Sequence, residues 1–256
     1  MIDIHSHILP NVDDGASTLD DSIQMAKAAQ SEGITTIYAT PHHLNGRYET
    51  SPSLIKDKVS ELNRELENRQ INLKVKEGQE IRVNGEIPEL LEDGEAIPLG
   101  NDSKYVLIEF PSSQVPRYAK QTSYDMQRMG YQPIIVHPER NSAISKYPNI
   151  LYEQVKRGAL TQLTASSVAG KFGKKIQALC FDLIEANLVH FIASDAHNTS
   201  SRGFHMKEAF DILEDRYGAG LVELFKENAE TAATGEPVIC DPPMEVKKKK
   251  KLLGIF

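Results

Sequence analysis

The chain predicts an α/β fold of seven parallel strands with helical crossovers, closed or nearly closed into a barrel. Three observations carry this. Strand-like and helix-like segments alternate along the chain, the pattern of a parallel sheet. Residues 106–108 and 134–136 are continuous apolar runs, as strands buried on both faces are. No glycine-rich dinucleotide fingerprint follows the first strand, which disfavours an open nucleotide-binding sheet.

The elements follow in order. Ile2 and Ile4 alternate with Asp3 and His5 as a short strand does. Residues 17–32 place Leu19, Ile23, Ala26 and Ala29 at a helical period, and Gly33 stops it. Residues 35–40 are mostly β-branched and aromatic, a strand running into Pro41-His42-His43. A long amphipathic helix over 51–69 has Pro52 near its start. Residues 72–83 read as one strand with Leu73, Val75 and Ile81 apolar and Glu77, Gln79 and Glu80 near its end. The strand 105–110 is interrupted by Glu109 and ended by Pro111. A helix over 116–129 stops at Gly130, and the strand 132–136 closes on His137-Pro138-Glu139-Arg140. A helix over 147–157, a weaker strand over 160–164 and an apolar helix over 173–187 come next. The last strand, 189–193, ends in Ser194-Asp195-Ala196-His197, and helices over 204–217 and 221–232 complete a single domain spanning 1–240. Residues 241–256 are a basic and apolar tail, expected to be flexible.

With 256 residues, 40% hydrophobic and 25% charged, the composition is that of an ordinary soluble globular protein. No apolar run approaches the roughly 20 residues that span a bilayer. The N-terminus lacks the basic and apolar regions of a signal peptide, so the cytoplasm is the expected location. Cys180 and Cys240 are too few and too far apart for a zinc knuckle or a disulfide framework, and Cys180 falls in an apolar helical pattern that predicts burial. The net charge of −7 includes +5 from Lys247 to Lys251, leaving −12 on the remainder. An acidic body excludes a nucleic-acid groove from the expected partners.

The residues able to bind metal gather at strand ends. His5 and His7 stand two apart at the end of the first strand and can face one ion from the same side. His42, Glu80, Glu109, His137, Asp195 and His197 each fall at or just past the C-terminal end of another strand, the rim where parallel barrels build their sites. Five imidazoles with carboxylates and no thiolate suit Mn²⁺, Fe²⁺ or Zn²⁺ better than Ca²⁺ or Mg²⁺. The set exceeds what one ion takes, so two or three ions are expected. Asp13 and Asp14 compete for the last place, and spacing does not separate them. Arg140 and Arg202 lie on loops at the same rim, and guanidinium forks bind phosphate oxygens in pairs. Several metals with two arginines point to hydrolysis of a phosphate ester.

Ile2-Asp3-Ile4-His5-Ser6-His7, Val12-Asp13-Asp14-Gly15, Thr40-Pro41-His42, Gly78-Gln79-Glu80, Leu107-Ile108-Glu109-Phe110, His137-Pro138-Glu139-Arg140 and Ala193-Ser194-Asp195-Ala196-His197 resemble the motifs of the polymerase and histidinol phosphatase (PHP) superfamily. Within it they are most similar to the CpsB/YwqE-type bacterial tyrosine-protein phosphatases, which counter the autophosphorylating tyrosine kinases of capsule and exopolysaccharide synthesis. The resemblance covers residues 1 to about 235. It implies a distorted (β/α)7 TIM-like barrel with three metals, usually manganese, at the C-terminal rim. It implies one ion on His5, His7, Glu80 and Asp195, a second on Glu80, Glu109 and His137, and a third on Asp14, His42 and His197. Asp14 is preferred over Asp13 through this likeness alone. Arg140 and Arg202 match the phosphate-gripping arginines. The implied substrates are phosphotyrosyl proteins, among them a bacterial tyrosine kinase.

Cysteine-based phosphatase chemistry is excluded, because the residues six beyond Cys180 and Cys240 are Ala186 and Val246, not arginine. The rival readings are a phosphatase of small monoesters such as histidinol phosphate and a non-catalytic, metal-stabilised binding subunit. The latter has no use for two phosphate forks. The tail, lysines followed by Leu252, Leu253, Ile255 and Phe256, reads either as a solvated end or as a weak contact with an acidic partner or the inner face of the membrane.

Overall fold

In the computed structural model, which describes residues 1–100 and 103–247, every strand pairing is parallel. The elements in chain order are β1 (Ile2–Ser6), α1 (Leu19–Ser31), β2 (Thr36–Ala39), β3 (His42–His43), α2 (Pro52–Asn68), β4 (Lys74–Glu77), β5 (Glu80–Arg82), α3 (Ile87–Glu92) and β6 (Tyr105–Glu109). Then follow α4 (Ala119–Arg128), β7 (Gln132–Val136), a 3₁₀ turn (Pro138–Arg140), α5 (Ser142–Lys146), α6 (Asn149–Val155), β8 (Leu160–Thr164) and α7 (Ala165–Val168). The chain finishes with α8 (Lys174–Glu185), β9 (Phe191–Ala193), α9 (Met206–Tyr217) and α10 (Ala219–Thr234).

Two sheets form, in the orders β1-β2-β4 and β3-β5-β6-β7-β8-β9. This corrects the expectation of seven uninterrupted strands. The expected strand 72–83 is two, β4 and β5, separated by Gly78 and Gln79. Gln79 leaves the ladder because its buried amide is used elsewhere, donating to Thr50 O at 2.7 Å and accepting from Ile97 N at 2.9 Å. Gly78 sits in close quarters; a Cβ there would meet Thr40 Cγ2 at 3.0 Å and Leu99 Cδ2 at 3.1 Å, so those side chains would have to shift. Opposite, β2 stops before Thr40-Pro41, and the chain resumes pairing as β3. Pro41 has no N–H to donate to a ladder. The first and last strands meet through a bridge between Ser6 and Ala196, with His7 N donating to Ala196 O and Asp195 N to His5 O, both at 2.8 Å.

Side chains alternate between two apolar layers. Ile4, Tyr38, Tyr105, Leu107, Ile134 and Phe191 pack together, and Ala229 and Ala232 of α10 close that cluster from the helical side. Ile37, Val75, Ile81, Val106, Ile108 and Ile135 join the helices in the larger cluster, which includes Cys180 as expected. Glu109 ends the β6 face that carries Tyr105 and Leu107. Thr18 caps α1 with Asp21 in a reciprocal capping box, fixing where the helix begins after the Asp13-Asp14 loop.

Residues 241–247, assigned by sequence to the flexible tail, lie against the body. Met244 N donates to Ala186 O at 2.8 Å and Val246 N to Asn149 Oδ1 at 2.9 Å. The membrane or acidic-partner contact expected of the lysine run falls mostly on residues 248–256, outside the described residues. No helix among the described residues is long and apolar enough to cross a membrane.

Candidate metal centre

His5, His7, Glu80 and Asp195 converge in the interior, all of them buried. His5 Nε2 and His7 Nε2 are 3.3 Å apart. Each lies 3.2–3.4 Å from both Glu80 Oε2 and Asp195 Oδ1. Second nitrogens set the tautomers. His5 Nδ1 meets Gln162 Oε1 at 2.9 Å and His7 Nδ1 meets Asp13 Oδ2 at 2.5 Å, so each ring presents a bare Nε2 to the centre when its Nδ1 carries the proton.

Around this quartet stand two further groups. His7, Asp14, His42 and His197 form one, with Asp14 Oδ1 at 3.4 Å from His42 Nε2 and 3.3 Å from His197 Nε2. His42, Glu80 and Glu109 form the other, His42 Nδ1 lying 2.8 Å from Glu80 Oε2 and 3.8 Å from Glu109 Oε2. The expected trio had His137 in place of His42. His137 instead sits beside that group, its Nε2 at 2.7 Å from Glu80 Oε1. Asp13 is turned away, receiving backbone N–H bonds from Gly15 and His42 while it holds His7. Gly15 is required for this turn, because a Cβ would come within 2.0 Å of His7 O. His137 and Asp195 have left-handed backbones, φ 35° and φ 50°, where their strands end. Such conformations are uncommon outside glycine and gather at functional sites.

The arginines divide between two carboxylates. Arg140 Nη2 lies 2.7 Å and Arg202 Nη2 3.2 Å from the same oxygen, Asp195 Oδ2, and Arg202 Nη1 is 3.5 Å from Asp14 Oδ2. Sequence reasoning missed Arg82, whose Nη2 pairs with Glu109 Oε2 at 2.9 Å. Its position two residues after Glu80 on a strand was the available signal, since i and i+2 share a face.

The cluster is electrostatically unbalanced without cations. Burial, then the neighbouring Glu80 carboxylate, push Glu109 up to about 7, against His42, Arg82 and Arg140. Burial also works against charge on His7, but Asp13 overrides it and holds the imidazole well above its ordinary value. The same pairing outweighs burial at Asp13 and brings it to about 2. His137 is driven down to about 4 by burial and by Arg140. His42 Nδ1, Glu80 Oε2, Glu109 Oε2, Asp195 Oδ1 and His197 Nε2 are buried and make no well-aligned hydrogen bond, although His42 Nδ1 and Glu80 Oε2 face each other at 2.8 Å and Glu109 Oε2 has its ion pair with Arg82. All five belong to the groups above, and a divalent cation would pair them. Edges of 3.2–3.4 Å suit an ion with bonds of roughly 2.0–2.2 Å, and the oxygen and imidazole donors suit Mn²⁺, Fe²⁺ or Zn²⁺. The residues fit a polynuclear metal site.

A parallel α/β chain with buried His and carboxylate clusters at its strand ends, flanked by arginines, is a metallohydrolase in architecture. The chain belongs to the family described as capsular polysaccharide synthesis, CpsB/CapC, which matches residues 1–233. It is 49% identical over 256 residues, all of both chains, to the tyrosine-protein phosphatase YwqE of Bacillus subtilis (strain 168). It is 34% identical over 237 residues to the tyrosine-protein phosphatase CpsB of Streptococcus pneumoniae, covering 89% of this chain and 96% of that one. A chain from the crystal structures of YwqE from Bacillus subtilis and CpsB from Streptococcus pneumoniae, described as metal-dependent tyrosine phosphatases, superposes with a TM-score of 0.94. That match has 49% identity and covers 97% of this chain and 100% of that one.

Proposed function

We infer that this chain is a metal-dependent protein-tyrosine phosphatase, a phosphoric monoester hydrolase acting on phosphotyrosyl proteins. The observation that carries the reading is the buried His5, His7, Glu80 and Asp195 quartet with Arg140 seated on the outer oxygen of Asp195. The proposed ions are Mn²⁺, two or three of them. One would be held by His5, His7, Glu80 and Asp195, and a second by Glu80 and Glu109 with His137 or His42. A third would be held by Asp14, His42 and His197. Divalent ions held there would supply charge stabilisation to a phosphate ester and would lower the pKa of a water from about 16 towards about 7.

The chain's own groups supply the rest. Asp195 holds Arg140 and Arg202 side by side, so the donors they do not spend on carboxylates can grip phosphate oxygens in pairs. Gln162 and Asp13 keep the His5 and His7 rings aimed inward. A tyrosine phenolate, with a parent pKa of about 10, leaves without a dedicated general acid. The proposed architecture is a distorted (β/α)7 barrel, supported by the Ser6–Ala196 bridge and by counting β2 with β3 and β4 with β5 as single interrupted strands. An autophosphorylated bacterial tyrosine kinase is the proposed partner, supported by the relatives' names and the family's description.

The test is hydrolysis by metal-stripped protein with Mn²⁺ restored, on a phosphotyrosyl peptide beside histidinol phosphate. Mn²⁺-dependent turnover of the peptide is expected. Turnover of histidinol phosphate alone would transfer the reading to small monoesters, and turnover of neither by folded, metal-loaded protein would leave a binding subunit.

A further inference from the structure

Two recesses open from the metal cluster on different sides. One, about 360 Å³, runs from Asp14 and His197 past Ser17, Asp21 and Gln24. Its lining is polar and carries two carboxylates. The other, about 140 Å³, is lined by Glu109, His137, Arg140 and Asn141, by Phe110, Val136 and Pro138, and by the exposed Ser112. The second recess differs from the first in three ways. It is bordered by an arginine, it has three apolar wall residues, and its volume is close to the roughly 150 Å³ that holds a benzene molecule.

Its walls are also fixed in place. They come from the loops after β6 and β7, and Asn141 fastens one loop to the other. The Asn141 Nδ2 donates to Pro111 O at 2.7 Å and Gln114 O at 3.0 Å, while its Oδ1 accepts from Ala143 N and Ile144 N at the start of α5. Every polar group of that side chain is occupied, so the recess keeps its shape without a ligand.

We propose that the recess between Phe110 and Pro138 is the slot for the phosphotyrosine ring, with Phe110, Val136 and Pro138 as its specificity-determining walls and Ser112 at its mouth. The proposal rests on the phosphatase reading above. A phosphate held at Arg140 puts an aryl ring directly into the slot, and the tyrosine Cβ leaves over Ser112. A phosphoserine has one carbon between ester oxygen and backbone, so reaching the same phosphate position would drive peptide backbone into a space sized for a ring. The slot therefore selects aryl over alkyl phosphate esters by length and by the polar cost of burying a peptide group.

The test uses metal-loaded enzyme and two tryptophan plugs. Ser112→Trp blocks the mouth of the slot, and Ser17→Trp narrows the polar recess; both residues are exposed and leave the cluster untouched. The readouts are kcat/KM for a phosphotyrosyl peptide and calorimetric affinity for phenylphosphonate and for inorganic phosphate. Ser112→Trp is expected to lower kcat/KM and phenylphosphonate affinity at least tenfold with phosphate affinity unchanged, while Ser17→Trp changes none of them. Phe110→Ala, which removes a wall, is expected to weaken phenylphosphonate and not phosphate. Ser112→Trp and Phe110→Ala enzymes with wild-type phenylphosphonate affinity would overturn the slot, as would loss of affinity in Ser17→Trp alone. A wild type that binds phosphate but does not turn over the peptide would overturn the phosphatase reading itself, and the slot with it.

Discussion

Asp13 Oδ2 lies 2.5 Å from Nδ1 of His7, on the far side of the ring from the buried quartet. Its neighbour Asp14 faces His42 and His197 instead. Adjacent carboxylates thus take different roles in the proposed site, one orienting an imidazole and the other offered to an ion. Asp13→Asn leaves one acceptor oxygen where Asp13 uses two, so it keeps either the Gly15 N bond or the His42 N bond, and it removes the charge behind His7. Metal affinity is expected to fall about 10–100-fold with the fold retained, checked by Mn²⁺ titration of the stripped protein.

Arg140→Ala removes one of the two guanidinium groups on Asp195 Oδ2 and leaves Arg202 to pair that oxygen. Turnover of a phosphotyrosyl peptide is expected to fall roughly 100-fold or more, the order seen when a charge-stabilising donor is lost. Metal content, measured by elemental analysis, is expected to stay at the wild-type level. Unchanged turnover would mean that Arg140 serves only as a salt bridge.

Arg82→Met strips Glu109 of a counter-charge. An unfolded glutamate titrates near 4.5, and folded, metal-free Glu109 titrates at about 7. Its contribution to stability is therefore complete below 4.5 and is lost as pH rises through 7. Arg82 holds Glu109 down, so removing it pushes the carboxyl higher still. Because a ligand must be deprotonated, the pH at which Mn²⁺ binding is half complete is expected to rise in the variant. A pH titration of metal uptake checks this.

His190 lies away from the cluster and is pushed down to about 4 by burial. Its Nδ1 accepts from Thr161 N at 3.0 Å, the arrangement of a neutral ring. Between 6.5 and 4 the unfolded chain takes a proton that the folded chain refuses, so stability is present above 6.5 and lost as pH falls. The full loss is about 3 kcal/mol. In His190→Asn an amide oxygen can accept from Thr161, and nothing titrates. The denaturant midpoint of the variant is expected to drop less than that of the wild type between pH 7 and 5.

The positions that sequence could read are those set by local spacing. His5 with His7 and Asp195 with His197 stand two apart at strand ends, and parallel strands bring such ends together. What escaped depended on distant contacts. Nothing near Gln162 marks it as the partner of His5, 157 positions away. The division of labour between Asp13 and Asp14 follows from how Gly15 lets the loop close onto His7, and Gly15 has no side-chain signature. The break between β4 and β5 reflects Gln79 bonding to Thr50 and Ile97, neither of them a neighbour in sequence. Arg82 was missed although its spacing from Glu80 was legible.

Ser194 donates to Asp3 through both its backbone N–H and its hydroxyl, joining residues 191 positions apart immediately below the quartet. During synthesis this seam cannot form until β9 has left the ribosome. His5 and His7 are made well before Asp195 and wait for it to complete the quartet. A nascent chain stalled before residue 194 would lack one side of the quartet, and its two imidazoles could take up stray transition metals in the wrong geometry. The quartet is complete only once β9 is in place, so an ion that needs all four side chains would be chosen by the finished strand ends and not by the emerging peptide.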